Sequence, residues 1–134
     1  YVTHDNTFAW NTIPDHGLLI IDLDSVDSAN PTYKTMNPVI QTPGGIMDTL
    51  KTAHNLYIDE NGYAYLFGAN VGNGGALIFD VATDPWNPTY VGMYDDYYFH
   101  DGMVRGDTIW GSAVYQGKFI VVDATWYPVG FAHL

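Results

Sequence analysis

Two histidine-led dipeptides, His54-Asn55 and His100-Asp101, are the residues of this sequence best suited to bind a ligand. Each begins an apolar run that a turn follows, so the two dipeptides occupy equivalent places. Neutral imidazole and carboxylate oxygen atoms are common metal ligands, and they also hydrogen-bond to hydroxyl groups. His54 and His100 are therefore candidate metal ligands. In the alternative, structural interpretation, these side chains tie neighbouring strands together by hydrogen bonds.

A second candidate surface is the aromatic and acidic run Tyr94-Asp95-Asp96-Tyr97-Tyr98-Phe99. Ring faces beside carboxylates are how many proteins hold sugars, which stack on the ring and hydrogen-bond at its rim. Tyr97 and Tyr98 are therefore candidate ligand-binding residues. In the alternative interpretation, these rings only pack on strand surfaces, where aromatic residues are favoured. We expect Trp86, Tyr90 and Trp110 in the core.

The cofactor stays open between a divalent metal and calcium. The oxygen-rich run from Asp22 to Asp27 resembles a calcium loop, but it lacks the glycine and the distal glutamate of the familiar helical-loop pattern. The sequence contains no cysteine and no Gly-x-Ser-x-Gly motif, so it offers little support for nucleophilic catalysis. The pattern favours binding over catalysis.

Composition excludes other classes of partner. The 134 residues contain 4 Lys and Arg against 15 Asp and Glu, giving a net charge of -11. This charge repels phosphate backbones and anionic lipid, so we expect no nucleic-acid partner. The apolar runs are far too short to cross a bilayer, so we expect no membrane insertion. The 14 glycines and 7 prolines favour strands and tight turns over helices.

The strongest internal signal is a short apolar strand that ends in aspartate and occurs three times. The three aspartates are Asp22, Asp80 and Asp123. The spacing from Asp80 to Asp123 lies in the range of roughly 40 to 50 residues expected for one propeller blade. The longer spacing from Asp22 to Asp80 allows an insertion in that unit. Each aspartate is expected to accept main-chain hydrogen bonds from the turn that follows it.

The rest of the repeat falls into register around these aspartates. A complete unit has a His-led strand, a strand ending in glycine, the strand ending in aspartate, a proline-containing loop and an outer strand. The predicted fold is therefore all-β, a β-propeller-like repeat of four-stranded antiparallel blades, with about three units forming an incomplete propeller. We expect one repeat domain over 1–134 with units at 1–37, 53–94 and 99–134.

Two parts of the chain depart from this pattern. The first unit lacks a His-led start and carries an insertion from Asn6 to His16. Residues 38–52 are expected to form a loop because of their proline and glycine content, with one helical turn over Ile46 to Lys51.

The chain resembles the choice-of-anchor B family of bacterial extracellular proteins, whose LVIVP-type repeats form β-propellers. The resemblance is carried by His54-Asn55-Leu56-Tyr57-Ile58, by Gly74 to Val81 and by the run Asp84-Pro85-Trp86-Asn87-Pro88. His100-Asp101 matches the place where that family often carries Tyr-Thr-His-Asp. The resemblance implies an exported protein that is secreted or resides at the cell surface, with no established enzymatic activity. Because about four to eight blades close a propeller, we expect the chain to be a fragment of a longer polypeptide.

These observations predict a secreted or surface-displayed propeller segment that acts as a binding or structural module. Its expected partners are the remaining blades of a longer propeller or copies of itself, and also a glycan or another surface protein. One alternative is a carbohydrate-binding surface protein. The other is a hydrolase that uses the His and Asp residues at the mouth of the propeller channel.

Overall fold

The computed structural model describes residues 1–5 and 16–126, where the regular elements are β-strands and three short 3-10 turns. The predicted all-β fold is confirmed. The sheets are antiparallel, and none of those in the described ranges is closed. The insertion from Asn6 and the predicted outer strand of the third unit fall mostly or wholly outside these ranges.

The first sheet, called sheet I, and a separate hairpin occupy the N-terminal part of the described chain. Sheet I has the order β1-β2-β3, with β2 in the centre. The hairpin pairs β4 with β5. The bounds of these five strands are β1 (Val2–Thr3), β2 (Leu18–Ile21), β3 (Tyr33–Met36), β4 (Val39–Gln41) and β5 (Met47–Thr49).

Two further sheets, II and III, match the predicted repeat most fully. Sheet II has four strands in the order β6-β7-β8-β9, and sheet III has three in the order β10-β11-β12. The bounds are β6 (Asn55–Ile58), β7 (Tyr63–Phe67), β8 (Ala76–Asp80), β9 (Thr89–Tyr94), β10 (Asp101–Arg105), β11 (Thr108–Ala113) and β12 (Lys118–Asp123).

The repeated aspartates cap the turns that follow their strands, as predicted. An Oδ1 atom of Asp80 accepts hydrogen bonds from the amides of Ala82 and Thr83, at 2.9 and 3.0 Å. Asp22 and Asp123 each accept one from the residue two positions later, at 3.0 and 2.9 Å. The Thr83 hydroxyl, and then the amides of Thr83 and Ala82, lower the pKa of the Asp80 carboxyl. The aspartates are therefore structural residues.

Sheet II lies between two apolar clusters because its strand residues alternate in direction. Leu66, Leu77 and Phe79 belong to one cluster, which also contains Leu18 of sheet I and Leu50. The other cluster joins the opposite face of sheet II to sheet III, and its members include Phe67, Ile78, Phe99, Val104, Ile109 and Val122. Sheets I, II and III are thus stacked in chain order.

Two sequence-based expectations are wrong. The 38–52 segment contains the β4–β5 hairpin rather than only a loop, and its residues Met47–Thr49 form a strand rather than a helical turn. Trp86 and Trp110 are 36% and 37% exposed, so they are not core residues, whereas the half-buried Tyr90 does pack against the first cluster. Local pattern cannot say which face of a strand is covered.

In the described part of the chain, no helix has both the length and the apolar character that a membrane span requires.

Candidate functional site

His54 and His100 meet at the junction of sheets II and III. Each directly precedes the first strand of its sheet, β6 or β10. Their main-chain amides make equivalent hydrogen bonds, from His54 to the Phe67 carbonyl at 2.9 Å and from His100 to the Ser112 carbonyl at 3.0 Å. Stacking of the two sheets therefore brings equivalent side chains together, with imidazole ring centroids 4.0 Å apart and ring planes inclined by 44°.

The neighbouring pair, Asn55 and Asp101, also joins the two sheets. The Asn55 Nδ2 atom donates a hydrogen bond to Asp101 Oδ1. Both side chains also bond locally: Asn55 Oδ1 accepts from the Leu56 amide at 2.7 Å, and Asp101 Oδ1 also accepts from the Gly102 amide at 2.7 Å. These two predicted site residues therefore tie sheets together.

Asp5 is a site residue that the sequence interpretation missed. Its Oδ2 atom lies 2.6 Å from His54 Nδ1, and the two side chains are about one-third exposed, at 36% and 31%. The Ala53 amide donates to the His4 carbonyl at 3.0 Å, which holds the segment in place. His4-Asp5 is similar in sequence to the other two dipeptides, but it follows β1, whereas His54 and His100 precede β6 and β10. The repeat therefore gave no signal for Asp5.

Tyr98 adds an aromatic surface next to the histidines. A Cβ built on Gly68 would stand 2.9 Å from His54 Cβ and 3.0 Å from the Tyr98 hydroxyl oxygen, so Gly68 lies between these two side chains. The Tyr98 ring contacts the ring of Tyr115, a second residue missed from sequence, with centroids 4.8 Å apart. Burial, and then the charges of Tyr115 and Asp5, raise the pKa of Tyr98.

Tyr97 lies apart from the histidines and from Tyr115, although it neighbours Tyr98 in the chain. It packs against the apolar cluster between sheets II and III, and Lys118 Nζ lies 5.4 Å from the centre of its ring. The predicted pair of ligand-binding tyrosines is therefore split between two environments. We call the group of Asp5, His54, His100, Tyr98 and Tyr115 the polar–aromatic edge.

The polar–aromatic edge offers few free metal ligands. Among residues 1–5 and 16–126, no group of three or more His, Asp or Glu side chains is arranged to hold a metal ion. His54 Nδ1 is engaged with Asp5, and the Asp22 carboxylate of the suggested calcium loop accepts the Asp24 amide. His54 could offer its Nε2 atom to a metal, and His100 could offer its imidazole. The other ligands would have to come from outside the polar–aromatic edge.

In the described part of the chain, two clefts of about 210 and 180 Å³ lie away from the polar–aromatic edge. Tyr1, Ile21 and Trp86 line the first, and Asp59 and Tyr65 line the second. At the edge itself, Tyr115 is 77% exposed. An exposed ring flanked by imidazole and carboxylate groups suits stacking and hydrogen bonding to a polar ligand from solvent.

Comparisons with protein-family models, with curated proteins and with solved structures find no significant match to this chain.

Proposed function

We propose that this chain forms consecutive blades of a secreted or cell-surface β-propeller and acts as a non-catalytic binding module, with its ligand at the polar–aromatic edge. The observation that carries the proposal is the contact of His54 with His100, whose ring centroids are 4.0 Å apart. In a propeller, the first strands of successive blades surround one mouth of the central channel. Equivalent residues of neighbouring blades converge there.

The stacking of the three sheets supports the propeller part of this proposal. Each face of sheet II is covered by a neighbouring sheet along the chain, and sheet II has the four antiparallel strands of one blade. The location is supported only by the resemblance to choice-of-anchor B proteins, which implies export. We propose membership of that family as the hypothesis that accounts for the repeat and the histidine-led dipeptides.

A carbohydrate is the ligand class that the polar–aromatic edge suits best. Tyr115 is 77% exposed and lies against Tyr98, so its ring face is free for a sugar ring to stack on. Asp5 and His100 stand nearby and can hydrogen-bond to hydroxyl groups. The many carboxylates of the chain disfavour anionic sugars, so we propose a neutral or cationic glycan.

The test is binding of the purified chain to an array of neutral, cationic and anionic glycans, followed by titration of the best ligand. Tyr115→Ala removes an exposed ring, and we expect it to weaken binding by at least about fivefold, or roughly 1 kcal/mol. Tyr63→Ala is the matched control because Tyr63 is also exposed, at 36%, but lies at the start of β7, at the opposite end of that strand from Phe67 and His54. It should bind like the unmodified chain.

Two results would count against this function. Absence of binding to any glycan class, or equal binding by the Tyr115→Ala and Tyr63→Ala variants, would remove the carbohydrate proposal. Hydrolysis of an ester or glycoside that disappears in His100→Ala would instead indicate a hydrolase at the same edge.

A further inference from the structure

The outer face of sheet III is apolar and uncovered in the described part of the chain. Trp110 lies in the central strand β11, paired with Met103 on one side and Val121 on the other. Phe119 is next to this row, and its ring centroid is 6.2 Å from that of Trp110. These four side chains are between 37% and 66% exposed. We call them the sheet III outer face.

The repeat shows what covers this kind of face elsewhere in the molecule. With Asp123 aligned on Asp80, Val121 is equivalent to Ile78, and Trp110 is equivalent to Tyr65 because Trp110 pairs with Val121 as Tyr65 pairs with Ile78. Tyr65 and Ile78 are each 4% exposed, because sheet III packs on them. The sheet III outer face is therefore the counterpart of a face that buries itself against the next sheet.

Within residues 1–5 and 16–126, sheet I has the complementary uncovered face. Its central strand carries Leu19, paired with Val2 and Thr35. Alignment of Asp22 with Asp80 makes Leu19 equivalent to Leu77, which is 1% exposed and lies in the cluster that joins sheet II to Leu18 of sheet I. Leu19 itself is only half-buried. We call Val2, Leu19, Ile21 and Tyr33 the sheet I outer face.

We propose that the sheet III outer face docks on the sheet I outer face of a second copy of this chain, in the geometry that joins sheets II and III. The two faces are different, so the contact is head-to-tail. Two copies would contribute six stacked sheets, which is within the range of about four to eight blades in closed propellers. Docking in both directions would leave neither face exposed.

Burial of apolar side chains favours this contact, and repulsion between the two negatively charged copies opposes it. Each copy carries a net charge of -11, which opposes association. Central aromatic side chains such as Trp110 contribute much of the binding energy where they become fully buried. Salt screens the repulsion without weakening apolar contacts, so dimerisation should strengthen as ionic strength rises.

The experiment is sedimentation of the full chain over a wide concentration range at about 150 mM salt, where repulsion beyond about 8 Å is screened. We expect a species of twice the monomer mass. Trp110→Lys and Leu19→Lys should each weaken dimerisation by at least about tenfold. Ile46→Lys is the control, since Ile46 is 68% exposed but lies in the β4–β5 turn, outside both faces. It should dimerise normally.

Mixing the two variants gives a second, independent reading. The Trp110→Lys chain keeps an intact sheet I outer face, and the Leu19→Lys chain keeps an intact sheet III outer face. A mixture therefore has one fully intact interface, and we expect it to dimerise more tightly than either variant alone. Circular dichroism establishes that each variant is folded. Recovery of dimerisation on mixing shows in addition that the unmodified face of each variant is intact.

Three outcomes would overturn the proposal: a monomer at every concentration, a dimer insensitive to Trp110→Lys, or a dimer sensitive to Trp110→Lys but not to Leu19→Lys. The last would indicate that two sheet III outer faces meet each other. The inference rests on the proposed stacking of blades but not on the ligand. A chain that dimerises without binding glycans contradicts only the carbohydrate proposal, and a glycan-binding monomer contradicts only the dimer.

Discussion

Phe67 fills the space that a side chain on Gly102 would need. A Cβ built on Gly102 would stand 2.7 Å from Phe67 Cζ, closer than such atoms can approach. Gly102 lies in β10 of sheet III and Phe67 in β7 of sheet II, so this contact is part of the packing between the two sheets. The spacing of sheets II and III therefore depends on a residue without a side chain.

Gly102→Ala should destabilise the fold by about 1–3 kcal/mol, because the buried Phe67 ring has to move. The free energy of unfolding, measured by urea denaturation, gives the result. Gly44→Ala is the control, since the nearest atom to a Cβ at Gly44 is 3.9 Å away, and its effect should stay within about 0.5 kcal/mol. Equal effects of the two substitutions would contradict the packing described between sheets II and III.

The hydrogen bond from Asn55 to Asp101 should appear as a coupling energy between the two residues. A double-mutant cycle with Asn55→Ala and Asp101→Ala is expected to give about 1 kcal/mol, measured from unfolding free energies. Asp107 serves as the reference partner because it lies at the opposite end of the β10–β11 hairpin from Asp101. The effects of Asn55→Ala and Asp107→Ala on the unfolding free energy should be additive. If the effects of Asn55→Ala and Asp101→Ala are additive as well, the hydrogen bond between Asn55 and Asp101 does not stabilise the fold.

The buried Tyr65 and the half-buried Tyr90 should make the fold sensitive to alkali. Burial, and then the charge of Asp95, raise the pKa of Tyr90 to about 12. Burial, followed by the charge of Asp59, raises the pKa of Tyr65 as well. An unfolded tyrosine ionises near pH 10, so the unfolded chain loses these protons before the folded chain does. The stabilisation is complete below about pH 10 and declines as the pH rises toward 12.

Tyr90→Phe should therefore flatten the decline of the unfolding free energy above about pH 10. Ile46→Val, at an exposed position without a titratable group, is the control and should leave the slope unchanged. Urea midpoints at a series of alkaline pH values provide the measurement. A Tyr90→Phe chain with the same alkaline slope as the unmodified chain would show that Tyr90 titrates normally in the folded state.

Local features of this protein could be predicted from sequence because they depend on neighbours in the chain. The hydrogen bond that the Thr83 amide donates to Asp80 joins residues three apart in sequence. An aspartate at the end of an apolar run was therefore enough to predict it. The same holds for the hairpin at Asn61-Gly62, where Gly62 has a φ of 79°. Three repetitions of one strand pattern then predicted the all-β fold and the equivalence of His54 and His100.

Which residues meet across sheets was decided only by the tertiary structure. Asp5 contacts His54 across 49 positions of sequence, and no local rule links them. Tyr97 and Tyr98 look alike in sequence, yet one packs between sheets and the other lies beside the histidines. Trp110 was expected in the core because it is apolar. The alternation of a strand determines which residues share a face, but only the packing of neighbouring sheets determines which face is covered. Tyr65 is therefore buried while its counterpart Trp110 is exposed.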